Sequence, residues 1–102
     1  GELRIDLIDR RVERAGQLIR LPLREFDLLT NLARVPDRPI SRAALLQAVW
    51  RLDFDPGTNR VEVHISRLRA KIDRGFGWPM LWTVKGEGYA LRSRPDWVPA
   101  LA

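Results

Sequence analysis

Hydrophobic positions in residues 3–21 recur every second residue. Leu3, Ile5 and Leu7 alternate with Arg4 and Asp6, the period of a strand that turns one face to a core. Asp9-Arg10 marks a turn and Val12 falls in a second short strand. Ala15-Gly16 marks a further turn, and Leu18-Ile19-Arg20-Leu21 reads as a third strand. This segment predicts a small antiparallel meander that needs cover on one face.

From Pro22 the period lengthens. Phe26, Leu29, Leu32 and Ala33, broadened by Leu28, form the apolar stripe of a helix over residues 22–34. Pro22 suits a helix start, Glu25 favours the positive end of the dipole, and Pro36 ends the helix. A second helix is predicted over residues 41–50, with Ser41 as N-cap and Leu45, Leu46 and Val49 facing inward. Asp55-Pro56-Gly57 marks the loop that follows. Thr58 or Asn59 caps a third helix over residues 59–74. With Asn59 in that role, Glu62 can complete a pair resembling a capping box. Gly75 and Gly77 end this helix. Residues 81–91 then read as a β-hairpin that turns at Lys85-Gly86-Glu87-Gly88. The tail, 93–102, has two prolines and little periodicity, and is expected to lie across the surface or fray.

The third helix is two-sided. At about 100° per residue, Val61, Ile65, Leu68 and Ile72 fall within about 60° of one another. Arg60, Val63, His64, Arg67, Lys71 and Arg74 form a second stripe about 120° away, while Arg69 and Glu62 share the far flank. One side serves a core; another carries cations, a small apolar residue and the only His. An α-helix fits the major groove of B-DNA, where Arg can bond guanine O6 and N7 and a residue such as Val63 can meet a thymine methyl. A solvated helix whose Arg residues aid solubility has the same pattern, so this helix alone leaves both readings open.

Composition narrows the choice. The chain has 102 residues, no Cys and 45% hydrophobic residues, enough for one self-sufficient domain. Without Cys there is no disulfide framework, thiolate zinc site or Cys nucleophile. No apolar run approaches the ~18 residues of a membrane span. Net charge is +5 and it is uneven. Residues 1–59 hold 10 Lys/Arg and 9 Asp/Glu, whereas residues 60–94 hold 8 and 3. The basic excess thus lies in the third helix and hairpin, as a nucleic-acid footprint would. Helix, turn, basic-faced helix and hairpin is the order of a winged helix-turn-helix. Lys85, at a Gly-flanked tip, is placed for a phosphate or a minor groove.

Enzyme chemistry lacks a signal. There is no paired-carboxylate cluster of convincing spacing, no G-x-S-x-G and no Walker loop. No helix start follows Gly86-Glu87-Gly88, as a phosphate cradle would require. A single His without nearby acidic ligands makes a poor metal site. No catalytic residue, metal or cofactor is expected. A protein-interaction or RNA-binding winged helix stays as the alternative, although no aromatic stacking platform is interleaved with the Arg stripe. Trp78 and Trp97 receive no role.

Four stretches carry a family resemblance. They are Leu21-Pro22-Leu23-Arg24-Glu25-Phe26-Asp27-Leu28-Leu29; Ser41-Arg42 with Val49-Trp50; residues 61–71, VEVHISRLRAK; and Thr83-Val84-Lys85-Gly86-Glu87-Gly88-Tyr89. Together they resemble the OmpR/PhoB-type winged-helix domain, the C-terminal output half of many bacterial two-component response regulators. The resemblance covers about residues 3–92 and makes 1–92 the domain, with 93–102 a tail. It implies an α+β fold: a four-stranded N-terminal antiparallel sheet, three helices and a C-terminal hairpin wing.

The resemblance further implies sequence-specific binding of double-stranded promoter DNA, with helix 59–74 in the major groove and wing 83–89 at the minor groove or backbone. The DNA-facing candidates it brings together with the basic stripe are Trp50, Asn59, Arg60, Val63, His64, Ser66, Arg67, Arg69, Lys71, Arg74, Thr83, Lys85 and Tyr89. It also implies that loop 51–58 meets RNA polymerase, that tandem head-to-tail dimers form on repeated half-sites, and that the location is cytoplasmic with no membrane partner. The phosphoryl-accepting aspartate belongs to a receiver domain that this chain does not contain. The abrupt opening Gly1-Glu2-Leu3 fits an excised domain. Pro22, Ala44, Asn59-Arg60 and Ser66 depart from residues common in that family.

Overall fold

A computed structural model describes residues 2–93 and 100–101. Three strands open the chain: β1 (Leu3–Asp6), β2 (Arg11–Arg14) and β3 (Gln17–Ile19). They pair antiparallel, with Ile5 opposite Val12 and Val12 opposite Ile19. The period of two holds through Ile5 and breaks at Leu7, which lies in the turn and is exposed. Leu3, Ile5, Val12 and Arg14 all face inward and are buried.

The sheet does have four strands, but the fourth is not N-terminal. It is β6 (Ala100–Leu101), parallel to β1, in the order β3-β2-β1-β6. The C-terminal end therefore takes up unpaired backbone groups on the edge of β1. The free edge, not the local sequence, decides this pairing. A tail that only frays or lies on the surface is corrected to that extent. Trp97 lies outside the described residues.

The helices are α1 (Leu23–Ala33), α2 (Arg42–Trp50) and α3 (Arg60–Ile72). In α1 the predicted stripe of Phe26, Leu28, Leu29, Leu32 and Ala33 is buried. Pro22 stands at its N-cap and supplies no side-chain bond. Ser41 caps α2 as expected, its hydroxyl accepting from the Ala44 N–H at 3.1 Å. Asn59 makes no side-chain cap on α3. The expected capping box is absent because Glu62 is drawn to Arg42 instead, at 2.7 Å. The helix also stops earlier than the sequence predicts. Asp73 is its C-cap, so Arg74 lies beyond the last turn.

β4 (Leu81–Val84) and β5 (Gly88–Leu91) form the hairpin, with Thr83 opposite Tyr89. This hairpin docks on the chain just before α2. Ile40 and Tyr89 exchange both backbone hydrogen bonds, at 2.8 and 3.0 Å. The Asp37 N–H adds a bond to the Leu91 carbonyl at 2.8 Å. Leu3, Ile5 and Val12 from the sheet join the inward stripes of the helices, Leu81 and Leu91 in one core. That core anchors α3 by Val61, Ile65, Leu68 and Ile72, all buried. No helix among the described residues is long and apolar enough to cross a membrane.

Candidate nucleic-acid interface

The core stripe sorts the remaining side chains of α3 by angle. His64 and Lys71 lie about 70–90° to one side of it, toward α1 and α2. Glu62 and Arg69 lie about as far to the other side, toward the hairpin. Val63, Arg67 and Ala70 lie about 130–170° away and look outward. Ser66 and Arg67 are exposed. The Arg67 side chain forms no ion pair or hydrogen bond with another described residue.

His64 is half-buried against α2. Its ring meets Trp50 edge-to-face, with centroids 5.0 Å apart. Its Nδ1 lies 2.7 Å from the Arg60 carbonyl. A carbonyl only accepts, so Nδ1 donates and Nε2 is left without a partner among the described residues. Trp50 and His64 therefore form one unit at the α2–α3 edge. Arg60 folds back, its Nε donating to Thr58 Oγ1 at 3.2 Å.

Two further predicted cations are engaged. Lys71 Nζ donates to Glu25 Oε1 at 2.6 Å. The Glu25 side chain is 3% exposed and that of Lys71 37%. The N-terminus of α1 packs beside this flank of α3, so Lys71 serves a buried carboxylate. Lys71→Met should lower stability by about 1–2 kcal/mol, because the exposed partner brings a buried-pair loss of 3–5 down toward surface values. Urea unfolding measures it. The slope of DNA affinity against salt should stay as in the parent. A slope reduced by one unit would return Lys71 to the phosphate contacts.

Arg69 is the second. Its Nε donates to the Leu81 carbonyl at 3.1 Å and its Nη2 to Thr83 Oγ1 at 3.0 Å. Both Arg69 and Thr83 thus join helix to hairpin, as the far-flank position of Arg69 allows. Lys85 and Gly86 are exposed at the hairpin tip. Tyr89 is half-buried, and burial pushes its phenol above the ordinary value of 10.0.

Arg42 was not among the candidates. It stands at the start of α2 and holds three segments at once. Its Nε donates to Glu62 at 2.7 Å, its Nη1 to Asp55 at 3.0 Å, and its Nη2 to the Thr58 carbonyl. The guanidinium keeps the Glu62 carboxyl below its ordinary value. Asp55 is likewise held down, first by the Gly57 N–H and then by Arg42. These bonds fix loop 51–58 against the start of α3. The signal was available: a basic residue directly after an N-cap is misplaced for the helix dipole and needs acidic partners. Arg24 is a second such brace, donating to the Val49 carbonyl at 2.7 Å.

Residues 16–91 match the family described as transcriptional regulatory protein, C terminal. The chain belongs to this family, the OmpR/PhoB-type winged-helix domains. It is 46% identical over 92 residues to the transcriptional regulatory protein TcrA of Mycobacterium tuberculosis, covering 90% of this chain and 36% of TcrA. It is 39% identical over 91 residues to CusR of Escherichia coli, covering 89% and 40%. The chain therefore spans well under half the length of these curated relatives. Among solved structures, the Klebsiella pneumoniae RstA DNA-binding domain in complex with RstA box superposes with a TM-score of 0.80 at 33% identity, covering 90% of this chain and 92% of that one. The OmpR/PhoB-type chain described here thus has the winged-helix fold of its family, with α3 and the hairpin as neighbouring, hydrogen-bonded elements.

Proposed function

We propose that this domain binds double-stranded promoter DNA sequence-specifically, as the output half of a two-component transcriptional response regulator in a bacterial cytoplasm. The observation that carries the reading is the outward face of α3. Arg67 stands there unpaired among the described residues, between small Val63 and Ala70, while the opposite face is sealed in the core. Small neighbours let a helix settle deep in the major groove, and a free guanidinium supplies the bidentate donor that guanine accepts. Arg74, Lys85, Asn59 and the Trp50–His64 edge flank that face and meet backbone phosphates. The hairpin lies against the adjacent minor groove or backbone.

One module of this size gives limited affinity, so two copies act head-to-tail on repeated half-sites. Loop 51–58 presents Phe54, 60% exposed, beside a groove of about 630 Å³ lined by Ala43, Ala44, Gln47 and Leu52. This loop is the contact to RNA polymerase. Phosphorylation acts on a receiver domain in the remaining length of the regulator.

Selection of bound duplexes from a random pool, repeated at two salt concentrations, tests the reading. An enriched motif with a steep salt slope is expected. Absence of enrichment would favour a protein-interaction or RNA-binding role. Lys85→Ala should lower the slope of log affinity against log salt by about one unit, alike for every duplex. An unchanged slope would remove Lys85 from the phosphate contacts.

A further inference from the structure

The hairpin is grafted onto the end of α3 through two residues, Asp73 and Arg69. Asp73, the C-cap of α3, accepts from the Met80 N–H at 2.9 Å through Oδ1 and from the Leu81 N–H at 3.1 Å through Oδ2. Arg69, four residues earlier on the same flank, holds the Leu81 carbonyl and Thr83 Oγ1. Leu81 is therefore gripped by both its backbone donor and its backbone acceptor. The i, i+4 spacing of Arg69 and Asp73 matches this reach along the root of β4.

Asp73 is itself held from the sheet. Arg14, on β2, is fully buried. Its Nη1 donates to Asp73 Oδ1 at 2.8 Å and also to the Ile72 carbonyl. Its Nη2 donates to the Trp78 carbonyl at 2.6 Å, and its Nε to Glu2 at 2.6 Å. The guanidinium lies 4.6 Å from the centre of the Phe76 ring and 5.6 Å from that of Trp78. A planar fork with all three nitrogens engaged has little freedom, and a cation suits the negative end of α3. One continuous chain of contacts thus runs from the sheet through Arg14 and Asp73 to the root of the hairpin.

We infer that Arg14, Asp73 and Arg69 are positioning residues that fix the orientation of the hairpin relative to the outward face of α3, so that both elements engage DNA at once. The inference rests on the DNA-binding reading. Two contacts on one rigid body reinforce each other only while their spacing matches the target; a loosened root lowers the effective concentration of the second contact. A residue that merely supports the fold would lower stability without changing how helix and hairpin cooperate.

Asp73→Asn tests this. An amide has one acceptor oxygen, so it cannot serve Arg14 and both backbone N–H groups together. Residual dipolar couplings of the backbone amides report the orientation of β4–β5 relative to α3 in the absence of DNA. The parent should fit one rigid orientation, and Asp73→Asn a different or averaged one, with α1–α3 unchanged. A double-mutant cycle with Lys85→Ala supplies the second readout, using a duplex selected by the parent. Lys85→Ala should weaken binding about fivefold in the parent and less than about twofold in the Asp73→Asn background. Unchanged couplings with additive effects would overturn the inference. If Asp73→Asn does not fold, Arg69→Met, which removes the outer bonds alone, takes its place in both measurements. A parent that binds no duplex would defeat the DNA reading, while the dipolar couplings would still decide the positioning role.

Discussion

Gly88→Ala should cost at least ~3 kcal/mol of folding stability, since it adds backbone strain to overpacking. Gly88 has φ +129°, a conformation that side chains rarely adopt. A Cβ there would stand 2.0 Å from the Ile40 carbonyl oxygen and 2.9 Å from the Ser41 Cα. Both obstacles are backbone, so no rotamer change relieves the clash. The strand must instead part from Ile40, breaking the two hydrogen bonds between Ile40 and Tyr89. Gly86 is the control. Its φ is +79° but nothing lies within 4 Å of an added Cβ, so Gly86→Ala should cost only about 1 kcal/mol. Urea unfolding of both variants at unchanged m measures the difference. Should the two losses agree within 1 kcal/mol, the close approach at Ile40 would not be what holds the hairpin.

The same contact shows where reading the sequence stops. Gly86 and Gly88 were legible as turn residues. That Gly88 is also the point where the hairpin meets the start of α2 was not, because Ile40 lies 48 positions away in the chain and no periodicity links them. The elements themselves were legible wherever one face meets the core. The stripes of α1 and α3 are buried as their 3.6-residue period requires, and Ser41 caps α2 as its chemistry requires. Local rules failed where a distant partner competes. Asn59 and Glu62 have the spacing of a capping box, yet a charge-assisted bond to Arg42 wins the carboxylate. Arg14 offered a clue that went unused. It shares the inward parity of Val12 on a half-buried strand, so a buried charge with obligatory partners was implied. Which partners could not follow, since Asp73 and Trp78 come from the other half of the chain.

The excess of basic residues in 60–94 is likewise only in part free of partners within the fold. Composition treats its cations as equal, whereas the fold divides them by what lies beside each one. Lys71 neutralises a buried glutamate and Arg69 ties helix to hairpin. Arg92 lies over the Trp82 ring, 5.3 Å from its centre. Arg67, Arg74 and Lys85 make no ion pair with another described residue. A charge census therefore finds where the cations are concentrated but not which of them already have partners in the fold.

That division makes Arg67 the cation whose loss should matter most to sequence choice. It projects from the middle of α3, while Arg74 lies past the helix end and Lys85 on the hairpin tip. A central side chain on a helix seated in the major groove meets base edges, and residues at the margins meet phosphates. Arg67→Ala should therefore weaken binding of the preferred duplex by about 1–3 kcal/mol, roughly ten- to a hundredfold, and relax preference at a single base pair. Arg74→Ala should weaken all duplexes alike. Competition titrations against a panel of single-position variants of the selected site separate the two patterns. If Arg67→Ala also lowers every affinity equally and takes about one unit from the salt slope, its guanidinium sits on a phosphate. Base choice would then fall to Val63 and Ser66, the remaining groups on that face able to tell one base edge from another.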